Sequence, residues 1–348
     1  MEIKRNGYTV ELSKPILYVD NESRNRSGHM SHALCEFGKN KVMNFNSNCS
    51  AARNWGHSTF GWIEYRISDD ACETYGDVQT LPYSVDTFLD GVNVISVEKA
   101  VACDDGTVVA VCLRNNALTV CQPWNTPMVV TSADGGKSWT DPIEVCKYKG
   151  RVYDACYYDG TIYLLEFCND GVGDFCGEKE EHVYRIFTSR DKGKSFEELC
   201  VVPVPSMGRG YGAMQFDGEG RLHVFAYNIK DERHMDHIVS EDKGKTWGAA
   251  HTNYLAHGIR NPQINIIDGI WVCHGRAEQE SGFVLYTSPD GENWDEGEFI
   301  GTVKGYCYYS NNIVLKDKDN TNRLLIQYSQ NYRDACVNIF HRWLKIKK

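Results

Sequence analysis

Three arginines, Arg209, Arg260 and Arg276, stand in short strand-like runs beside other polar or aromatic residues, Tyr211, Asn261 and His274. A guanidinium offers a planar fork of N–H donors that matches a carboxylate, so arginines gathered from separate segments suit an anionic ligand. Tyr309, in "YCYYSNNIVL", adds a hydroxyl able to act as nucleophile or proton donor. Asp154, Glu166 and Glu98 add carboxyl groups of the kind that move a proton or pair across a glycosidic bond. Arg114 and the histidines His29 and His57 complete the set. The chemistry these side chains suggest is acid–base or nucleophilic work on an anionic ligand.

Such residues are far apart in the chain, so the fold must collect them. The stretch "TSADGGKSW" contains Ser132, Asp134, Gly136 and Trp139, and relatives follow at "SRDKGKSF", "SEDKGKTW" and "SPDGENW". Their aspartates, Asp134, Asp191, Asp242 and Asp290, recur at intervals of about fifty residues, a period that signals stacked supersecondary units. Ahead of each lies an apolar run, an Asp-Gly turn and another apolar run, as in "CYYDGTIYLL" and "NIIDGIWVC", which is the pattern of a β-hairpin. Each unit therefore reads as four antiparallel strands, and radial repetition of such units makes a propeller. No helical periodicity stands out. The aspartate accepts backbone N–H bonds, the glycine takes a positive φ, and the aromatic packs beneath, so the turn is structural.

On these four turns the chain resembles the Asp-box, or BNR, repeats of the sialidase superfamily, over nearly its whole length. The resemblance implies an all-β, six-bladed propeller of four-stranded antiparallel blades, closed by pairing the N- and C-terminal strands, in one domain of residues 1–348. The inner strand of each blade would line an axial funnel. The resemblance maps Tyr309 to the nucleophile and Arg276 to an arginine of the substrate site; by inner-strand position Asp154 or Glu166 is the acid/base candidate, Arg209 and Arg260 join Arg276 around the substrate carboxylate, and Tyr211, Asn261, His274, Arg114 and Glu98 are further binding candidates. The implied activity is that of a glycoside hydrolase removing a terminal acidic sugar from an oligosaccharide. The motifs depart in four places: Met30, in "HMSHAL", stands where sialidases carry a first arginine, Asn261 stands where a glutamate is expected, and neither the third arginine nor the acid/base aspartate has a counterpart.

The first-blade run "GHMSHAL" is also similar to propeller polysaccharide lyases of the ulvan-lyase type, which implies proton transfer by His29 or His57 with Tyr309. A propeller that only binds a glycan or a protein is the remaining alternative, since one fold hosts many tasks. His29 and His32, three apart, would point to opposite faces of a strand, with His32 in the core. "NIKDERHMDH" reads as a solvated loop carrying His234 and His237.

The formal charge of -10 argues against a nucleic-acid partner, and no apolar run is long enough for a membrane span or a secretion signal, so a cytoplasmic protein is expected. The 14 cysteines sit mostly in apolar runs and read as small buried hydrophobes. No Cys/His spacing marks a zinc site, and neither metal nor cofactor is expected. The oligomeric state is open.

Overall fold

A computed structural model describes residues 1–55, 58–117, 125–169, 179–205, 208, 210–302 and 309–348. The apolar runs form strands, the Asp-Gly pairs turn them, and six antiparallel sheets stand around one axis as the blades of a propeller. Blade one has Leu34–Gly38 innermost, then Lys41–Trp55, Ser58–Ser68 and Gln79–Thr80, with Arg26–Ser27 also paired to the second strand. Blade two runs Asn93–Ala102, Val108–Asn116, Met128–Ser132 and Ile143–Glu144; blade three runs Gly150–Tyr158, Thr161–Cys168, Tyr184–Ser189 and Glu197–Val201. Blade four runs Gly212–Phe216, Leu222–Tyr227, His234–Ser240 and His251–Tyr254; blade five runs Arg260–Ile267, Ile270–Ala277, Gly282–Ser288 and Glu298–Thr302.

Blade six closes the ring as the sequence predicts. Ser310–Lys316, Asn322–Arg333 and Cys336–Lys347 come from the C-terminus, and Tyr8–Leu12 pairs antiparallel on the outside with Thr9 opposite Lys347 and Leu12 opposite Leu344. Ile16–Val19 lies against the other half of the same long strand, and Glu2–Arg5 extends the edge. Two blades have outer strands of only two residues, which limits the exposed edge available for pairing with another chain.

Each blade is hydrophobic on both faces because it is sandwiched between neighbours. The six larger apolar clusters follow the six seams: for example Val109, Val129, Ile162, Leu164 and Phe187 fill the seam of blades two and three. Ile267, Val272, Leu285, Leu324 and Ile326 fill that of blades five and six. Every cysteine among the described residues is free, and Cys35, Cys112 and Cys273 lie in these seams.

The aspartate turns are stitched alike. Asp134 accepts from Ser132 Oγ (2.9 Å), Ser138 N–H (2.9 Å) and Ser138 Oγ (2.6 Å), while Gly136 N–H donates to Ser132 Oγ at 2.8 Å. Asp191, Asp242 and Asp290 repeat the pattern. The first blade, whose turn is degenerate in sequence, builds it too: Asp70 accepts from Ser68 Oγ, Thr74 N–H and Thr74 Oγ1, and Cys72 N–H donates to Ser68 Oγ. There Cys72 takes the position glycine holds elsewhere, at φ +70°, and is buried against blade six. Burial of its side chain offsets the strain of a positive φ.

Three local readings are corrected. Among the described residues one α-helix is present, Pro82–Asp90, with proline in its first turn and Gly91 at φ +76° ending it; at nine residues it is too short for its periodicity to stand out. His29 and His32 precede the first inner strand, which begins at Leu34, so strand alternation does not apply to them. His234 and His237 belong to the third strand of blade four, and His237 is fully buried.

The turns set an acid limb of stability. Hydrogen bonds from Ser138 to Asp134, and from Thr246 to Asp242, hold both carboxyls at about 2 against 3.8 for a free aspartate. Their folded-state values are depressed, so the stability they contribute is present above about pH 4 and is lost as the pH falls toward about 2. The melting temperature should fall over that window, and an Asp134→Asn, Asp242→Asn double variant should melt lower near neutrality with a shallower acid slope. Equal slopes would remove the turns as the cause.

Candidate functional site

The inner strands are not regular where they approach the axis. In blade two, Val111 is opposite Lys99 and Cys112 opposite Val97, leaving Glu98 as an extra residue. In blade three Tyr153 is extra, between Val152 and Asp154. In blade five the register slips between Arg260 and Gln263, with Asn261 at φ +56°. A bulge re-aims side chains at the cost of one ladder position. These three bulges turn Glu98, Tyr153 and Asn261 into a small axial pocket lined also by Ser31, His32, Lys99, Gln263, Tyr309 and Ser310.

Two networks meet there. In the first, Arg151 is buried and grips Glu98 with Nε at 2.9 Å and Nη2 at 2.6 Å. Burial works against the Arg151 cation, Glu98 outweighs it, and the guanidinium stays charged. Its Cζ lies 4.9 Å from the ring centre of Tyr153, 5.5 Å from Tyr211 and 5.4 Å from Tyr309. Arg276 lies 4.9 Å from the Tyr309 ring and reaches the Tyr211 hydroxyl at 3.4 Å, and Arg260 stands 5.6 Å from the Tyr211 ring. The hydroxyls of Tyr211 and Tyr309 are 3.0 Å apart. Burial raises the Tyr211 hydroxyl, yet Arg276, then Arg260 and Arg151, outweigh it and hold the group below the ordinary tyrosine range. Tyr309 goes the other way, pushed up by burial and by Tyr211. The pair thus consists of a phenol and a neighbour disposed to ionise.

In the second network the ammonium of Lys99 reaches Asp154 Oδ1 (2.9 Å), Gln263 Oε1 (2.7 Å) and Asn311 Oδ1 (3.0 Å). Asp154 also accepts the backbone N–H groups of Met214 (2.7 Å) and Ala155 (2.9 Å). Its oxygens are occupied by structural partners, which suits a buried tie better than proton exchange.

The remaining sequence candidates separate. His29 is buried with its ring 5.6 Å from that of Tyr309. His32 is held to His29 by a 2.9 Å bond from its Nε2 to the backbone oxygen, and burial lowers it to about 4. His274 is sealed between blades five and six, where Asn312 Nδ2 donates to its Nε2 (2.8 Å) and its Nδ1 meets Ser310 Oγ (3.1 Å); burial lowers it to about 3. Asn261 Oδ1 accepts from Gln263 at 3.2 Å. Arg114 donates to Thr126 Oγ1 at 2.8 Å in blade two. Glu166 is not with Asp154: it is enclosed near the seam of blades two and three, receives Cys146 Sγ at 3.0 Å, and is pushed up to about 8 by burial. Met30, at the place of the expected arginine, is buried against Leu113. Arg209 and His57 lie outside the described residues. Arg151 and Lys99 carry no sequence signal beyond being basic residues on inner strands, and their partners come from other blades.

No protein-family model matches the sequence, and no curated protein matches it. Among solved structures, a Dyadobacter fermentans protein of unknown function aligns with a TM-score of 0.70 at 13% identity, over 97% of this chain and 99% of its own. A Hadza microbial sialidase aligns at 0.67 and 12% identity, over 97% of this chain and 68% of its own. Trypanosoma rangeli sialidase, in its covalent intermediate with 2,3-difluorosialic acid, aligns at 0.64 and 14% identity, over 98% of this chain and 59% of its own. What the chain shares with these sialidases is the six-bladed propeller fold.

Two substitutions probe the geometry. Lys99→Met would strand the buried Asp154 carboxylate and should cost about 3–5 kcal/mol in denaturant unfolding, as when one partner of a buried ion pair is removed. A loss under about 1 kcal/mol would mean the network is not a buried tie. Gly275 faces the blade-five bulge, where an added Cβ would meet Arg260 O at 2.8 Å and Asn261 O at 3.1 Å. Gly275→Ala should therefore displace Asn261, read as a changed chemical environment for axial-pocket residues by NMR, while distant blades keep their shifts.

Proposed function

We propose that the chain is a carbohydrate-active hydrolase that removes a terminal acidic sugar, with Tyr309 as nucleophile and Tyr211 as its base. The observation that carries this reading is the Tyr211–Tyr309 hydroxyl pair beneath Arg151, Arg260 and Arg276. A nucleophile needs a base within hydrogen-bond reach and a third group to tune that base. Tyr309 lines the axial pocket, Tyr211 lies behind it, and the guanidinium groups favour the phenolate of Tyr211. That pairing supplies what the missing glutamate near Asn261 would otherwise do.

Tyr309 Oη attacks the anomeric carbon while its proton passes to the Tyr211 phenolate, and the bond to the leaving oxygen breaks. Water then attacks the glycosyl–tyrosine, Tyr309 leaves as phenolate and recovers its proton from Tyr211, and the water's proton goes to the departed alkoxide or phenoxide. Arg276 and Arg260 meet the substrate carboxylate, the bidentate partner guanidinium favours. The covalent intermediate of the Trypanosoma rangeli neighbour supports this route by fold-level analogy.

A panel of aryl glycosides of acidic sugars tests the reading, because an aryl leaving group needs little acid assistance and isolates the nucleophile. Turnover should occur, Tyr309→Phe should abolish it, and Tyr211→Phe should lower kcat by about 10²–10⁴-fold with the fold intact. A 2-fluoro acidic sugar should label Tyr309 in peptide mass spectra. Because Arg276 is the strongest depressing charge on Tyr211, Arg276→Gln should move the acid limb of the pH–rate profile upward. Full activity in Tyr309→Phe, or no turnover across the panel, would end this assignment. The proximity of His29 to Tyr309 supports a second reading, elimination across a uronic acid, whose unsaturated product absorbs in the ultraviolet where a hydrolysis product does not.

A further inference from the structure

A second group of chemically capable side chains lies away from the axis, where the third and fourth strands of blade four meet the aspartate turn of blade five. His237 Nδ1 is 3.2 Å from Glu292 Oε1, and His251 Nε2 is 2.5 Å from Glu292 Oε2. The ligand atoms of these three residues lie within 4.8 Å of one another. Behind them, His237 Nε2 meets His223 Nδ1 at 2.9 Å, and His223 Nε2 meets Asp217 Oδ2 at 3.2 Å.

The order of this chain fixes the protons. The Asp217 carboxylate accepts, so His223 carries its proton on Nε2 and presents a lone pair at Nδ1. His237 must then donate from Nε2 and is left with a lone pair at Nδ1. That lone pair receives no hydrogen bond, sits on a fully buried side chain, and faces the carboxylate of Glu292. Two acceptors at 3.2 Å repel unless a cation lies between them. The ring is also fixed in place, stacked on Phe225 at 4.1 Å with planes 12° apart.

We propose that His237, His251 and Glu292 bind a divalent transition-metal ion of the Zn²⁺ class, which staples blade four to blade five. Two imidazoles and one carboxylate are a ligand set Zn²⁺ accepts, with water in the fourth position on the open side where His251 and Glu292 reach solvent. The Asp217–His223 relay is the outer-shell support that metal-bound histidines use to fix their tautomer. The proposal departs from the sequence expectation of no metal, because the three ligands come from two strands and a turn, with no local spacing motif to announce them.

The test uses the whole chain, stripped with EDTA and titrated with Zn²⁺ by calorimetry and with Co²⁺ by visible absorbance. One ion per chain should bind, Co²⁺ should give a ligand-field band, and Zn²⁺ should raise the melting temperature. His251→Ala, a change at a half-exposed position, and Glu292→Gln should each remove the stoichiometric binding and the thermal shift while folding normally without metal. His223→Gln, which keeps all three ligands, should weaken binding by about 10–100-fold. If wild type and His251→Ala bind Zn²⁺ alike, or if Zn²⁺ neither binds stoichiometrically nor shifts the melting temperature of the wild type, the proposal is overturned.

Discussion

The ammonium of Lys99 sits where inner strands from four blades come together, and its donors are spent on Asp154 of blade three, Gln263 of blade five and Asn311 of blade six. Asp154 passes the tie to blade four through the backbone of Met214. A propeller holds its blades by apolar seams that resist separation but do little to fix how far each blade tilts toward the axis, since hydrophobic attraction is not directional. A buried ammonium with three acceptors is directional, and the distances among its partners set where the axial strands end.

Ring closure gives that hub its frame. Each blade packs only on two neighbours, so an open ring would leave blade six without its outer strand and the seam between blades six and one exposed. Tyr8–Leu12 completes the last sheet by pairing with a strand from the opposite end of the chain. The ring therefore closes only after the most distant contact in sequence has formed, and closure presses the bulged segments together at the axis. Aspartate turns and seams shape each blade, closure sets the ring, and the axial network arises where those constraints meet.

The architecture was legible because it repeats. Four Ser-x-Asp turns and the hairpins ahead of them declare a blade, and a blade count leaves the N-terminal strand one place to go. The turn at Asp70 was hidden because Cys72 replaces the expected glycine, and the helix at Pro82–Asp90 because it occurs once. The axial site was legible in residue type and not in pairing. Arginine and tyrosine at the starts of inner strands flagged the region, but an extra residue in a strand leaves no mark in the sequence, and the bulges at Glu98, Tyr153 and Asn261 decide which side chains meet. Glu166 illustrates the limit: it lies one blade position from the axial residues, yet its partner is Cys146.

The cost of the axial cluster bears on what it is for. Removing a guanidinium or a carboxylate from water is expensive, and a well-packed apolar replacement of similar size is often as stable or more so. Arg151 and Arg276 are nonetheless buried beside a tyrosine pair, in a fold whose other seams are filled with valine, leucine and isoleucine. The Lys99 network repays its cost by fixing blade positions. The guanidiniums of the arginine–tyrosine group, with Arg151 clamped by Glu98, favour the ionised form of Tyr211, while burial and Tyr211 itself push Tyr309 the other way. Two touching hydroxyls whose acidities are pulled apart by their surroundings are the kind of pair from which acid and base roles can be assigned.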